Sequence, residues 1–310
     1  MSHSCRSKPR LCAVLLAAGA AVFLVGAPGA AEPGGVLKKI RDSGQITVGY
    51  RESSIPFSYL DDKAQPVGYA MDICGRIVDE IKKELKLPAL KVNLQAVTSG
   101  NRIPLVANGT VDMECGSTVN NAERQAQVGF SDTTFVVATR FVGRKADHLR
   151  TLDDLKGKTV AVTTGTNTVK RVRELDAAHN LGLTIVNGKD HADSMLLMTS
   201  GRVAVFFEDD ILLKGLAASS PNPDDYALST EGYSADPYAI MIPRGDPEFK
   251  KLVDGVIVGL FRSGEIDRIY DRWFMKPIPP KNITMNFPMG PVLKKVIATP
   301  TDSPDPADYR

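Results

Sequence analysis

Residues 98–132 of the chain read TSGNRIPLVANGTVDMECGSTVNNAERQAQVGFSD and set two arginines around a small-polar run. Arg102 precedes this run (GST, 116–118) and Arg124 follows it, and an apolar, strand-like segment leads into it. A guanidinium presents paired N–H donors that match both oxygens of a carboxylate, and hydroxyls and helix starts add further donors. The stretch therefore predicts an anion-binding pocket.

The composition is that of a globular protein rather than of a membrane or nucleic-acid-binding chain. It has 310 residues, of which 43% are hydrophobic and 24% are charged. A chain of this length exceeds what a single core usually organises, so two lobes are expected. The sequence contains no basic stripe or basic tail of the kind that binds nucleic acid.

The N-terminus has the layout of a secretory signal peptide. A short basic region through Arg10 precedes an apolar run (11–25) and then small residues that end at Ala31. We expect cleavage after Ala31, which removes residues 1–31 as a signal peptide. The alternative is a retained membrane anchor, but the run is shorter than the roughly 20 residues that a span needs. Removing three basic residues from 38 leaves 35 against 36 acidic residues, a net charge of −1.

Two cysteines remain once the signal peptide is removed. Cys74 and Cys115 form an even pair in a chain exported to an oxidising compartment, and this predicts a disulfide between them. The alternative is a pair of buried free thiols, which behave as small apolar side chains.

The mature chain alternates strand and helix patterns twice and then returns. The first unit has strand patterns at 46–48 and 90–97 and a helix at 71–85, and the second has strands at 159–162, 184–186 and 203–207 with helices between them. A strand at 238–242 and helices at 247–262 and 264–274 follow. The Pro- and Asp-rich residues after Pro300 are expected to fray. The pattern predicts an α/β fold built from two similar units.

Several longer segments occur in a characteristic order: RESSIPFSY, TSGNRIPL, ECGST with NAERQ, FSD, DLKGKTVAVTTGT, KDHADS, EDDILL and RWFMKPIPPKNITMNF. In these segments and their spacing the chain resembles the periplasmic solute-binding proteins of ABC transporters (family 3), in particular their glutamate/aspartate-binding subgroup. The resemblance implies a two-lobed type II periplasmic binding protein fold with two crossover strands, near 134–139 and 238–242. It divides the mature chain into a first lobe (32–135 and 241–310) and a second lobe (136–240).

The resemblance also implies a ligand site, which the chemistry of an acidic amino acid supports. Such a ligand carries two carboxylates and one ammonium, so it needs two cationic clusters and one anion. Arg51, Ser99, Arg102 and His191 would surround the distal carboxylate. Ser117, Arg124 and the turn at Thr166 would hold the α-carboxylate, with Asp209 on the α-ammonium.

Each of these residues also has an ordinary structural explanation. A loop arginine usually only faces solvent, and a histidine such as His191 is more often a helix cap or a core hydrogen-bonding group. Asp209 and Asp210 compete for the ammonium, and we assign it to Asp209 while Asp210 caps the following helix. Val119 departs from the family pattern, which has a hydroxyl residue there, and Thr118 is the neighbouring donor that could replace it.

The expected function is therefore extracytoplasmic capture of glutamate or aspartate and delivery to an ABC transporter permease. The protein is expected to be a periplasmic monomer that is not an enzyme and needs no cofactor or metal. One alternative is a dehydratase acting on a prephenate-like acid, with His191 or Glu208 as its acid or base. Another is a ligand-sensing lobe of a membrane receptor. The sequence does not rank glutamate against aspartate.

Overall fold

The computed structural model describes residues 1–3 and 35–310, so residues 4–31 of the predicted signal peptide lie outside the described residues. The helices are α1 Gly35–Ser43, α2 Tyr69–Glu84, α3 Arg102–Ala107, α4 Ala122–Gln125, α5 Thr168–His179, α6 His191–Thr199, α7 Asp210–Ser219, α8 Pro247–Ser263, α9 Glu265–Tyr270 and α10 Pro291–Ala298. The strands are β1 Gln45–Tyr50, β2 Ser53–Ser54, β3 Ser58–Leu60, β4 Pro66–Val67, β5 Lys91–Ala96, β6 Met113–Cys115, β7 Gly129–Val137, β8 Thr139–Arg144, β9 Thr159–Thr163, β10 Thr184–Gly188, β11 Val205–Asp209, β12 Tyr226–Leu228, β13 Asp236–Ile242, β14 Pro277–Ile278 and β15 Ile283–Thr284.

Two five-stranded sheets with the same pairing pattern carry the fold. The first has the order β5-β1-β6-β13-β7, and the second has the order β10-β9-β11-β8-β12. In each sheet the first three strands are parallel, and the last two are antiparallel to their neighbours. Each half thus repeats one α/β arrangement, which is the two-lobed type II architecture predicted above.

The chain passes between the sheets twice. It leaves the first sheet at Val137, the last residue of β7, and enters the second at Thr139, within the predicted crossing at 134–139. It returns between Leu228 and Asp236, a few residues before the range 238–242 predicted for the second crossing. The predicted range lies too far along the chain. All of β13 is buried and pairs with β7 along its length, so the whole strand already belongs to the first sheet.

Helix α2 shows why these residues fold as they do. Ile73, Ile77 and Ile81 recur every fourth residue and are fully buried, so one apolar stripe faces the core. The helix starts after Gly68, whose φ is 142° and where a Cβ would lie 2.2 Å from the carbonyl oxygen of Phe57. Only glycine fits this approach, and it fixes the start of the helix against the loop after β1.

The predicted disulfide is confirmed, because Cys74 on α2 is bonded to Cys115 at the end of β6. Both cysteines are buried. The bond joins the helix to the strand from which the GST run (116–118) departs. Across the described residues, no helix is long and apolar enough to cross a membrane.

The expectation that the chain frays after Pro300 was wrong. The carbonyl oxygen of Thr301 accepts a hydrogen bond from the backbone N–H of Thr133 at 2.8 Å. The hydroxyl of Tyr309 lies 2.8 Å from that of Thr133, and its ring is 1% exposed. The C-terminal residues stay ordered because they pair with β7 and bury an aromatic ring, which composition alone does not reveal.

Candidate functional site

The predicted site residues follow the carboxyl ends of parallel strands in both sheets. In the first sheet Arg51 comes directly after β1 and Ser99 follows β5, while the GST run (116–118) follows β6. In the second sheet Thr166 follows β9, His191 follows β10 and Asp209 ends β11. Loops at this edge of an α/β sheet meet in a crevice where ligands bind.

Arg51 and Arg102 are buried cations whose donors are not satisfied by the protein. They are 1% and 2% exposed. Arg51 Nη1 and Nη2, and Arg102 Nε and Nη1, have no hydrogen-bond partner among the described residues. Burial and the neighbouring Arg102 lower the pKa of Arg51 to about 10, and burial lowers that of Arg102. Two adjacent guanidiniums with inward-facing donors are suited to a carboxylate.

Ser99 and His191 supply two more buried polar atoms without a partner in the described part of the chain, Ser99 Oγ and His191 Nε2. Burial lowers the pKa of His191, against the attraction of Glu208, and the charges of Arg51 and Arg102 lower it further. The charges of both arginines therefore act on His191. The other ring nitrogen, Nδ1, lies 3.2 Å from Thr163 Oγ1.

Arg124 is held by backbone groups rather than by acidic side chains. Asn121 caps α4 by accepting a hydrogen bond from the Arg124 N–H at 2.9 Å. Arg124 Nη1 donates to the carbonyl oxygen of Val119 at 2.8 Å, and Nη2 donates to that of Gly165 at 3.2 Å. Burial, then the charge of Arg102, lowers the pKa of Arg124 to about 10. Val119 has no side-chain hydroxyl to offer a ligand, but its carbonyl oxygen still accepts a hydrogen bond from Arg124.

The predicted hydroxyl donors are oriented within the protein. Ser117 Oγ donates to Ser54 Oγ at 3.1 Å, and Thr118 Oγ1 donates to Glu114 Oε2 at 2.7 Å. Thr166 Oγ1 donates to the carbonyl oxygen of Thr163 at 2.8 Å. Because each hydroxyl has one proton, these three side chains can offer an incoming ligand lone pairs but not that proton.

Asp209 lies beside Tyr238, whose hydroxyl donates to Asp209 Oδ2. Burial and the neighbouring Glu208 and Asp236 raise the pKa of Asp209 well above its ordinary value, against the Tyr238 hydrogen bond. A cation placed against Asp209 would reverse this shift. Asp210 is the first residue of α7 rather than its cap, a position that Asp209 occupies, and its carboxylate accepts hydrogen bonds from the N–H groups of Ala138 and Ile211.

Glu114 is the site residue that the sequence prediction missed. It is fully buried in β6, its Oε1 has no partner among the described residues, and its charge acts on all three arginines. A Cβ at Gly116 would lie 2.1 Å from Glu114 Oε1 and 2.9 Å from Arg51 Cγ, which places Glu114 beside the Arg51 stem. The signal for it was present: a carboxylate within an apolar strand pattern is rarely buried without a partner.

The loops of the two sheets are in direct contact at Gly165. This residue has a φ of +78°, and a Cβ there would lie 2.5 Å from the carbonyl oxygen of Ser99. Asn121 Nδ2 also donates to Asn167 Oδ1 at 3.3 Å. The residues that follow the first sheet therefore enclose the site together with those that follow the second.

The chain is similar in sequence and in fold to known bacterial binding proteins. Residues 46–276 match the bacterial extracellular solute-binding proteins, family 3. The L-glutamate/L-aspartate-binding protein of Pseudomonas aeruginosa is 46% identical over 94% of this chain and 98% of its own length. The glutamate/aspartate import solute-binding protein of Salmonella typhimurium is 45% identical over 93% of this chain and 94% of its own length. Among solved structures, a mutant of ArgBP from T. maritima superposes with a TM-score of 0.68 at 25% identity, covering 76% of this chain and 98% of that one.

Proposed function

Because the chain belongs to the bacterial extracellular solute-binding proteins, family 3, we propose that it captures glutamate or aspartate and delivers it to an ABC transporter permease. The two bacterial relatives described above are named for the same pair of ligands. Both are binding proteins, and this chain is likewise a binding protein rather than an enzyme. The dehydratase alternative has no comparable support.

The observation that carries the proposal is the set of unpartnered polar atoms on Arg51, Arg102, Ser99 and His191. All four side chains are buried, so leaving these atoms without hydrogen-bond partners costs free energy. A distal carboxylate offers about four lone-pair sites and a negative charge, and it would satisfy the donors of Arg51, Arg102 and Ser99 directly, and His191 Nε2 when that nitrogen carries a proton. A neutral side chain would leave the unpartnered donors of two buried guanidiniums without a charged acceptor, which is costly.

The amino-acid end of the ligand would lie at Arg124 and Asp209. Arg124, fixed by two carbonyl oxygens, offers its charge to the α-carboxylate, and Asp209 accepts from the α-ammonium. Because the hydroxyls of Ser117, Thr118 and Thr166 donate within the protein, we assign them the role of positioning the loops around this carboxylate.

Binding would couple to closure of the two lobes, for which we propose the bounds 32–137 with 236–310, and 138–235, because β7 and β13 each lie whole in the first sheet. Arg102 and Arg124 belong to the first lobe and would engage the ligand first. Closure then adds Thr166, His191 and Asp209 from the second, and shifts the equilibrium to the form that the permease recognises. The contact of Gly165 with Ser99 is one that closure would make. We propose that residues 1–31 export the chain to the periplasm, where it acts as a monomer.

Titration calorimetry with L-glutamate, L-aspartate, L-glutamine and L-arginine tests the proposal. We expect tight binding of one or both acids and much weaker binding of L-glutamine. L-arginine should not bind detectably, because its cationic side chain would meet Arg51 and Arg102. Tight binding of L-glutamine without L-glutamate would overturn the acidic assignment. Binding of a prephenate-like acid with turnover would instead support the enzyme alternative.

A further inference from the structure

Glu208 is a buried carboxylate that the proposed ligand contacts do not use. Its Oε2 lies 3.3 Å from His191 Nδ1, and both side chains are 2% exposed. Its Oε1 accepts hydrogen bonds from Thr168 Oγ1 at 3.1 Å and from the Asp209 N–H at 3.2 Å. Burial alone raises the pKa of Glu208, but His191 and these two donors lower it overall. Glu208 is therefore an ionised carboxylate at ion-pair distance from the imidazole, although its Oε2 has no hydrogen-bond partner of good geometry among the described residues.

The surrounding hydrogen bonds determine which nitrogen of His191 carries the proton. Ser194 Oγ lies 2.9 Å from the carbonyl oxygen of Asp190, which can only accept, so the Ser194 proton is used there. Thr163 Oγ1, 2.8 Å from Ser194 Oγ, then donates to Ser194. Toward His191 Nδ1, Thr163 can only accept, as can Glu208. Nδ1 therefore bears the proton in every charge state of the ring.

This assignment has a consequence at the other nitrogen of the ring. In a neutral imidazole protonated at Nδ1, Nε2 carries a lone pair and is an acceptor. Nε2 is the buried, unpartnered atom in the predicted distal pocket. An amide side chain could donate to it directly, whereas a carboxylate would meet it lone pair to lone pair. Nε2 becomes a donor to a carboxylate when the ring takes up a second proton.

We propose that Glu208 is a specificity-determining residue that makes His191 take up a proton when an acidic ligand binds, and thereby favours a carboxylate over an amide. Glu208 provides a fixed negative charge on one side of the imidazolium, and the ligand carboxylate provides the other. The inference rests on the proposed capture of an acidic amino acid. It adds a group that does not touch the ligand and acts through His191.

The charged groups around His191 agree with this proton uptake. Arg51 and Arg102 oppose an imidazolium, and Glu208 favours it. Asp190, which precedes His191, is used as the cap of α6, where it accepts from the Asp193 N–H at 2.9 Å. In the ligand-free protein burial, with the two arginines adding to it, outweighs Glu208 and lowers the pKa of His191, so the ring is neutral. A ligand carboxylate would offset the arginines and leave Glu208 as the dominant neighbour.

Nitrogen NMR of the protein labelled with ¹⁵N-histidine tests the inference at about pH 7.5, near the range in which an ordinary histidine titrates. On saturation with L-glutamate, we expect the His191 Nε2 signal to move from the position of an unprotonated ring nitrogen to that of a protonated one. His148 and His179 are exposed and serve as internal controls that do not change. The site-specific signal is needed because the ammonium would lower the raised pKa of Asp209, and any proton that Asp209 gives up would mask the uptake in a total proton count.

Glu208→Gln keeps an oxygen for Thr168 and the Asp209 N–H, removes the charge and turns an amide N–H toward His191 Nδ1. We expect His191 to stay neutral with glutamate bound, with Nδ1 unprotonated, and the preference for L-glutamate over L-glutamine at about pH 8 to fall roughly tenfold for each unit by which the His191 pKa drops. Glu114→Gln is the matched control, because it removes a charge from the same cleft and His191 should still be protonated. Tight glutamate binding with an unprotonated Nε2 overturns this inference alone. A chain that binds neither acid overturns the proposed function as well.

Discussion

Replacing Arg102 by methionine should separate ligand affinity from stability. Arg102 begins α3 and is 2% exposed, with Nε and Nη1 unpartnered in the described chain. Methionine keeps an unbranched apolar stem in place of the arginine stem, so the substitution removes the guanidinium while leaving much of the packing. The change therefore tests the charge of Arg102 rather than its bulk.

The expected loss follows from what the ligand carboxylate would lose. Breaking one half of a buried, hydrogen-bonded charge pair costs about 3–5 kcal/mol. Because Arg51 and His191 would still face the carboxylate, we take the lower end, about 3 kcal/mol, which corresponds to a roughly 150-fold weaker Kd. The ligand-free protein should lose little stability, because burial already lowers the pKa of Arg102 and its charge opposes folding.

Calorimetric titration with L-glutamate and thermal unfolding of the ligand-free protein measure the two quantities. Arg76→Met is the matched control: Arg76 lies on α2 with its side chain 52% exposed, paired with Glu265, and should affect neither. An unchanged glutamate affinity for Arg102→Met would remove Arg102 from the site. A loss of affinity accompanied by a marked fall in the unfolding temperature of the ligand-free protein would mean that Arg102 acts through the fold.

Three further predictions address closure, the disulfide and a buried acid. Gly165→Ala should weaken ligand binding by calorimetry far more than Gly157→Ala, because both residues have positive φ but only at Gly165 does the Cβ meet a neighbouring backbone. Reducing the disulfide, which spans 41 residues, should lower the free energy of unfolding by about 4 kcal/mol in denaturant titrations with and without reductant. Burial and Asp254 raise the pKa of Asp132 to about 6, so its ionised form destabilises the fold above that pH. Asp132→Asn should therefore stabilise the protein at about pH 7.5 and change little at about pH 4, by thermal unfolding.

The sequence predicted the elements and loops best where a local pattern determines them. The four-residue spacing of Ile73, Ile77 and Ile81 predicts α2, and the helix buries that stripe. Arg51 was assigned to the loop after a strand and His191 to a junction between strand and helix; Arg51 follows β1 directly, and His191 begins α6 shortly after β10. Parallel strands bring such loops to one edge of the sheet, so local prediction of the strands was enough to group the residues.

The directions of side-chain hydrogen bonds could not be predicted in this way. The Thr118 hydroxyl donates to Glu114, four residues earlier, because the strand and the turn after it bring the two side chains together. The ordered C-terminal residues were missed because their hydrogen-bond partners, Thr133 and Asn120, are distant in sequence. Such contacts depend on the packed fold, and neither composition nor periodicity carries information about them.

The charges that enclose the site give an independent reason for a proton on His191. Three arginines of the site, Arg51, Arg102 and Arg124, face three buried carboxylates, Glu114, Glu208 and Asp209. Asp236, the buried acid beside Asp209, has its own counter-ion in Arg171 at 4.0 Å. In the complex, where the ligand ammonium keeps Asp209 ionised, the charges of the three arginines and the three carboxylates cancel, and an acidic amino acid adds a net charge of −1. A closed, buried complex with an uncompensated charge is costly. One proton on His191 restores neutrality, and it is placed between the added carboxylate and Glu208. An amide ligand carries no net charge and needs no such proton, so the same balance that admits glutamate gives glutamine no benefit from Glu208.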